Sequence, residues 1–215
     1  MDADRRALRA WSVATIAILA IEALAAWVLA RSGIPALVAI GLARAADIAL
    51  IALCLRLFRL DRQEIGLVRG GLLSGLRQGL LWSAAFGAAA ALGFAIAALL
   101  GLDPLRLVRS PASGLHTNET VLFFAVGGFI GPIAEEIYFR GLLYRVLRPW
   151  GAPAAILGTT ILFTLLHPWA GPVPVTQIAG GILFAAAVEK EKNLLVPITI
   201  HVLGNLSIFS LAHLT

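Results

Sequence analysis

The chain has 215 residues, of which 60% are hydrophobic and 13% are charged, and its mean hydropathy is +0.90. Soluble domains carry about 25% charged residues, so this composition excludes an ordinary soluble protein and indicates a polytopic bundle of transmembrane helices. The single cysteine, Cys54, excludes an internal disulfide and any metal site built from several cysteines. The net charge of +5 does not indicate a nucleic-acid partner, because the basic residues lie at the ends of apolar segments. No repeat or long polar linker divides the chain, which predicts one membrane-embedded domain over residues 1–215.

Seven apolar segments predict an all-α bundle of about seven spans. A full span needs about 20 apolar residues, and a signal peptide only about 7–15, so the first segment is interpreted as a retained anchor and not as a cleaved signal. The connection 59–78 is polar, and 189–192 is predicted as a charged turn. The Pro/Gly connection 168–174 carries no charge, which predicts a loop that dips into the membrane. The spans are predicted at residues 11–30, 34–58, 79–100, Glu119–Trp150, 153–167, 175–188 and 194–214.

The basic residues predict the orientation of the bundle. If the connections alternate between the two sides, thirteen of the seventeen lysines and arginines fall on one side. Three arginines (Arg31, Arg106 and Arg109) fall on the other side, and Arg44 lies within a span. The side richer in basic residues is normally cytoplasmic. The sequence therefore predicts a protein integral to the cell (inner) membrane, with its N-terminus in the cytoplasm and its C-terminus outside.

Three charged residues lie within the first two predicted spans. Arg44 and Asp47 are three residues apart and share a helix face, and Glu22 lies in the middle of the first span. The preferred interpretation is that they neutralise one another between two helices, and the alternative is a direct role with substrate. A proton-coupled transporter that uses these residues would need symmetry between its two halves, which this sequence does not show.

Two adjacent carboxylates lie in the stretch of residues 131–148. Glu136 and Arg140 are four residues apart, so they face each other on a helix and predict an ion pair. Glu135 points about 100° away around the helix and remains available as a general base. The competing interpretation is a helix-packing ion pair with Glu135 merely facing water. Thr117 or Asn118 is predicted to cap this helix, with Glu119 in its first turn.

Two later spans carry histidines. His167 follows Phe163 by four residues, and such a histidine at a helix end is often only an interfacial residue. His201 and Asn205 are four residues apart on an apolar span, where two neighbouring donors suit a developing oxyanion. An interhelical hydrogen-bonding pair is the alternative.

Together, a carboxylate, two histidines and an amide are the components of a site that activates water. The chain has no Gly-x-Ser-x-Gly elbow, phosphate-binding loop or His-Glu-x-x-His motif. We expect no cofactor, but Glu135, His167 and His201 also form a possible His₂-carboxylate zinc set.

The motifs Glu135-Glu136-Ile-Tyr-Phe-Arg140, Phe163-x-x-x-His167 and His201-x-x-x-Asn205, in this order on successive spans, resemble the CAAX protease and bacteriocin-processing (Abi) family of intramembrane endopeptidases. The similarity covers about residues 123–211. It implies that Glu135 and His167 activate water, that His201 and Asn205 form the oxyanion hole, and that Glu136 and Arg140 hold the helix in place. Parts of the family have been described as metallopeptidases, so the resemblance leaves metal dependence open.

The resemblance implies an endopeptidase that cleaves a membrane-associated protein or peptide. The chain departs from the eukaryotic CAAX enzymes in having seven predicted spans instead of the usual eight, and it shows no prenyl-binding signature. Processing of a C-terminal sorting tail is therefore as compatible with the sequence as CAAX-type cleavage. The alternative from another class is a non-proteolytic immunity factor or scaffold on the same fold.

Overall fold

The computed structural model describes residues 2–103, 117–167 and 174–214, and every regular element in these ranges is helical. A short 3₁₀ turn, Arg62–Ile65, lies between the second and third helices. The seven helices of the described chain are α1 (Asp2–Leu29), α2 (Ala36–Leu57), α3 (Leu72–Leu99), α4 (residues 117–150), α5 (Ala152–Leu165), α6 (Val175–Glu191) and α7 (Leu195–Leu214).

The fold is a polytopic helical membrane bundle, as the sequence predicts. Helices α1 to α4 contain stretches that are long and apolar enough to cross a membrane, and α5 and α7 contain shorter apolar stretches. Large apolar side chains are exposed on these helices, for example Ile16, Leu92 and Leu165. Such surfaces suit contact with lipid, because the hydrocarbon core is as apolar as the side chains.

Helix α4 lies at the centre of the bundle and contacts α1, α2, α5, α6 and α7. Leu142 packs with residues of α1 and α2, including Ala10 and Ile51. Phe139 and Leu143 pack instead with α5, α6 and α7. Opposite faces of α4 therefore belong to two different apolar cores, and this position fixes the rotation of α4 about its axis.

The backbone of α4 is not a uniform α-helix. Two π-helical segments, Val126–Ile130 and Ile137–Leu143, lie on either side of the α-helical segment Gly131–Glu136. A π-helical turn takes one more residue than an α-helical turn, and such turns are frequent at functional sites. The two segments change the directions of the side chains at both ends of the glutamate pair relative to a regular helix.

The three charged residues of the first two spans form one ion-paired group. Nη1 of Arg44 lies 2.9 Å from Glu22 Oε1 on α1 and 2.9 Å from Asp47 Oδ2 on α2. Asp47 is buried, so an ionised carboxylate there requires a partner. The structure thus shows the mutual neutralisation that the sequence favours.

Three predicted boundaries of helices and turns were wrong. Helix α1 continues through the basic start of the chain, and α3 begins at Leu72 instead of residue 79, inside the predicted polar connection. Helix α6 includes Glu189–Glu191, which were predicted as a turn, and Lys192 ends it with a φ of 53°. Charged residues fit these end turns because their side chains reach the membrane interface.

Two predictions fall outside the described part of the chain. Most of the loop at 168–174 is not described, so its predicted entry into the membrane is untested. Helix α4 begins at Thr117 with Glu119 in its first turn, but the side chains of Thr117 and Asn118, the predicted caps, are not described.

Candidate active site

The predicted ion pair of the central helix is present and completely buried. Nη1 of Arg140 donates to Oε1 of Glu136 at 2.9 Å, and both side chains are 0% exposed. Taking two charges out of water is costly, and the cost is offset only if each charge keeps close partners. A second hydrogen bond, from Arg140 Nη2 to the carbonyl of Gly181 at 3.3 Å, joins α4 to α6.

Aromatic rings surround the guanidinium of Arg140. Its central carbon lies 4.6 Å from the ring centroid of Phe163, 5.2 Å from that of Phe184 and 5.6 Å from that of Phe139. A desolvated cation is attracted to the faces of such rings. The three rings come from α5, α6 and α4, so the charge of Arg140 holds three helices together. Sequence reasoning did not identify Phe184, since no motif links it to Arg140.

His201 on α7 is bonded to the same carboxylate oxygen as Arg140. Its Nδ1 lies 2.7 Å from Oε1 of Glu136, and its ring stacks on Phe184 at 4.6 Å between centroids. Because Glu136 is ion-paired and ionised, it accepts this hydrogen bond, and Nδ1 of His201 carries the proton. The other ring nitrogen, Nε2, lies 3.8 Å from Oε2 of Glu135.

His167, at the end of α5, is held in the same way by a backbone carbonyl. Its Nδ1 donates to the carbonyl oxygen of Phe163 at 2.6 Å, and the two rings are 4.2 Å apart. A carbonyl oxygen only accepts, so the proton of the neutral ring is on Nδ1, and Nε2 has a lone pair. This Nε2 lies 3.4 Å from Oε2 of Glu135.

Glu135 is thus the point at which three helices meet. One oxygen of its carboxylate, Oε2, faces Nε2 of both His167 and His201, while Glu136 points away to Arg140. The side chains of Glu135 and His167 are 20% and 25% exposed, whereas that of His201 is 7% exposed. Water can therefore reach Glu135 and His167. The two imidazole rings are fixed by the hydrogen bonds that their Nδ1 atoms make with Phe163 and Glu136.

Asn205 is one turn beyond His201 on α7, and its side chain makes an interhelical hydrogen bond, the kind of contact that the alternative interpretation predicts. Its Nδ2 donates to the carbonyl of Gly127 at 2.9 Å, within the first π-helical segment of α4. No hydrogen bond joins Asn205 to Glu135, His167 or His201 in the described structure. The amide has a second N–H, which this contact does not use.

Glu135, His167 and His201 are also residue types that bind metal ions. Zinc is bound by imidazole and carboxylate groups, and the second ring nitrogen of a ligating histidine usually donates to a carboxylate or a carbonyl, as both do here. Within the described ranges, however, no group of three or more His, Cys, Asp or Glu side chains is arranged to hold a metal ion.

The comparison with protein families agrees with the motifs. The family model described as type II CAAX prenyl endopeptidase, Rce1-like, matches residues 117–207, a range that contains the glutamate pair, both histidines and Asn205. Comparisons with curated proteins and with solved structures found no match. Over residues 117–207 the chain is therefore similar to the Rce1-like type II CAAX prenyl endopeptidases, and this match agrees with the resemblance of the three motifs.

Proposed function

We propose that the chain is an intramembrane endopeptidase in which Glu135 and His167 activate a water molecule to hydrolyse a peptide bond of a membrane-associated protein or peptide. One observation carries this proposal: Oε2 of Glu135 faces the Nε2 atoms of two histidines, at 3.4 Å and 3.8 Å, within an apolar bundle. Ionisable groups at membrane depth are expensive and usually have a function.

The positions of Glu135 and His167 support a general-base step. A water molecule that donates one hydrogen bond to Glu135 and the other to Nε2 of His167 has a lone pair free to attack the carbonyl carbon of the substrate. Glu135 takes the proton as the C–O bond forms and the carbonyl becomes an oxyanion. The same proton then passes to the amide nitrogen, the C–N bond breaks, and a carboxylic acid and an amine leave. A well-placed acid or base of this kind contributes about 10²–10⁴ in rate.

His201 and Asn205 are proposed to stabilise the oxyanion. Asn205 would donate its second N–H, while its first N–H remains bonded to Gly127. Nδ1–H of His201 is bonded to Glu136, so Nε2 donates to an oxyanion only when both ring nitrogens carry a proton. Loss of one such donor typically costs about 10²–10³ in turnover. Glu136 and Arg140 are proposed to support the site by fixing His201 and α4.

The test is cleavage of a panel of membrane-tail peptides, with and without a prenyl group, by the full chain in lipid vesicles, followed by mass spectrometry. Glu135→Gln keeps the size of the side chain but cannot accept the proton, so we expect a loss of at least about 10² in turnover, and a similar loss for His167→Ala. Glu191→Gln is the matched control, because Glu191 accepts a hydrogen bond from Trp82 and does not contact the site. Cleavage by Glu135→Gln at the wild-type rate would contradict the assignment.

A second arm of this assay tests metal dependence. We expect the wild-type chain to retain its activity after exhaustive chelation, because the proposed step uses only protein groups. Loss of activity that is restored by Zn²⁺ would instead assign Glu135, His167 and His201 as metal ligands.

A further inference from the structure

An open cavity of about 430 Å³ lies at the end of the bundle where α4 and α6 finish. The first turn of α1 and the 3₁₀ turn at Arg62–Ile65 complete its walls. Glu135, His167 and His201 do not line it, so it is separate from the candidate active site. Four basic residues line it, Arg140, Arg145, Arg148 and Lys192, together with three acidic residues, Asp4, Glu64 and Glu189.

Glu189 is held by donors from three neighbouring side chains. Its Oε2 accepts from the hydroxyl of Tyr144, from Nε of Arg148 and from Lys192 at 2.8–2.9 Å, and its Oε1 accepts from Nη2 of Arg148 at 2.8 Å. The hydrogen bonds from Arg148, the largest cause, together with Lys192 and Tyr144 lower the pKa of Glu189 to about 2. Glu189 is therefore ionised and paired with Arg148 and Lys192, while Nη1 of Arg148 and further N–H groups of Lys192 remain for another acceptor.

Two other arginines of the cavity have buried nitrogens without a partner. Nε of Arg140 and Nε of Arg145 are both buried, and neither has a hydrogen-bond acceptor among the described residues. Arg140 is itself only 2% exposed. Both nitrogens are shielded, so a ligand in the cavity would bind Arg148 and Lys192 instead, whose side chains are 45% and 65% exposed.

The residues around the cavity are those expected at the depth of lipid headgroups. The strongly exposed Trp150 and the charged end turns of α4 and α6 are typical of a membrane interface. Lipid headgroups at this depth carry phosphate, and arginine forms charge-assisted hydrogen bonds with phosphate. The three acidic side chains favour a headgroup that also carries an ammonium group over one that carries only the negative charge of its phosphate.

We propose that this cavity binds the phosphate group of a phospholipid headgroup, with Arg148 and Lys192 as the principal ligands. A headgroup bound there lies close to the site already described, because Arg140 lines the cavity and shares Oε1 of Glu136 with His201. The lipid would thus lie against the group of charges that positions His201. The binding site itself does not depend on the proposed protease activity.

The experiment measures lipid retained by the purified, delipidated full chain in a phosphate-free detergent, using native mass spectrometry. The chain is exposed to micelles with added phosphatidylethanolamine, phosphatidylglycerol or diacylglycerol, which has no phosphate. We expect one phosphatidylethanolamine per chain, weaker retention of phosphatidylglycerol and none of diacylglycerol. Inorganic phosphate is added alone in a separate arm, with the thermal midpoint as readout. A rise in that midpoint equal to the rise with phosphatidylethanolamine would show free phosphate as the ligand and overturn the lipid assignment.

Substitutions of the cavity residues test where the headgroup binds. Arg148→Gln and Lys192→Gln each remove a charge-assisted hydrogen bond, and we expect each to lower the affinity for phosphatidylethanolamine about tenfold. Lys192 is the safer variant for folding, because its side chain is 65% exposed. Arg56→Gln is the matched control, since Arg56 is exposed at the end of α2 and does not line the cavity. Wild-type retention by Lys192→Gln, or retention of diacylglycerol equal to that of the phospholipid, would overturn the proposal.

Discussion

Oxygen Oε1 of Glu136 lies 2.9 Å from Arg140 Nη1 and 2.7 Å from His201 Nδ1, and it joins α4 to α7. Its position makes the stability of the bundle depend on a charge that has no access to water. Removing one member of a buried ion pair leaves the other charge uncompensated, which is much more costly than removing both. Glu136 is therefore expected to matter for folding, whereas the neighbouring Glu135 is expected to matter for chemistry.

The first prediction at this scale concerns Glu136→Gln. This change leaves the buried charge of Arg140 without a counterion, and we expect a loss of about 3–5 kcal/mol of stability, on the order of 10 °C in the thermal midpoint. The double variant Glu136→Gln/Arg140→Met removes both charges and should recover part of that loss. Glu135→Gln, one residue earlier, is the control and should unfold close to the wild-type temperature. The measurement is thermal unfolding in detergent by circular dichroism, and an unchanged midpoint for Glu136→Gln would contradict the account.

Local spacing predicts one of the two bonds of Glu136 and not the other. Arg140 is four residues away, so helix geometry alone places it beside Glu136. The hydrogen bond from His201 spans 65 residues, and that from Asn205 to Gly127 spans 78 residues. Both depend on how α7 packs against α4. The roles of Glu135, His167, His201 and Asn205 in catalysis stay predictions, because the structure supplies their positions only.

At the scale of helices, the apolar pattern predicts where helices exist better than where they end. Helix α3 begins seven residues early because Arg77 is exposed and Gln78 is partly exposed, and the polarity of such side chains does not interrupt a helix. The π-helical segments of α4 leave no mark in the apolar pattern, because the glycines and apolar residues of Val126–Ile130 would also suit an α-helix.

The contact between α3 and α7 gives a prediction at this scale. A Cβ atom added at Gly79 would lie 2.5 Å from Cβ of Thr199, so the two helices must separate to accept it. Overpacking of this kind costs about 1–3 kcal/mol, and we expect Gly79→Ala to lower the thermal midpoint. Gly87→Ala on the same helix is the control, because nothing lies within 4 Å of its Cβ position. Alanine has the higher helix propensity, so Gly87→Ala should be neutral or slightly stabilising. Equal effects of the two substitutions would show that α3 does not pack closely on α7.

At the scale of the whole molecule, composition predicts the class of fold and the resemblance predicts the family, while the arrangement of the helices follows from neither. The number of helices in the described chain equals the number of apolar segments, and residues 117–207 match the expected family. The central place of α4, with one apolar core on each side, depends on contacts between distant segments. The orientation of this bundle in the membrane remains a prediction from the basic residues alone.

That orientation has a direct test with single cysteines in a Cys54→Ala background, which removes the only native thiol. Gly33 and Arg62 are both exposed, and they lie in the connections that precede and follow α2. The excess of basic residues at 56–77 predicts that Arg62 is cytoplasmic and Gly33 is on the opposite side. A membrane-impermeant maleimide should therefore label Gly33→Cys in intact cells, and Arg62→Cys only after the membrane is permeabilised.

Lys190→Cys, exposed in the last turn of α6, should behave like Arg62→Cys, which would place the proposed lipid cavity at the cytoplasmic interface. Labelling of Arg62→Cys and Lys190→Cys in intact cells would reverse the orientation, and labelling of only one of the two would contradict the seven-span arrangement.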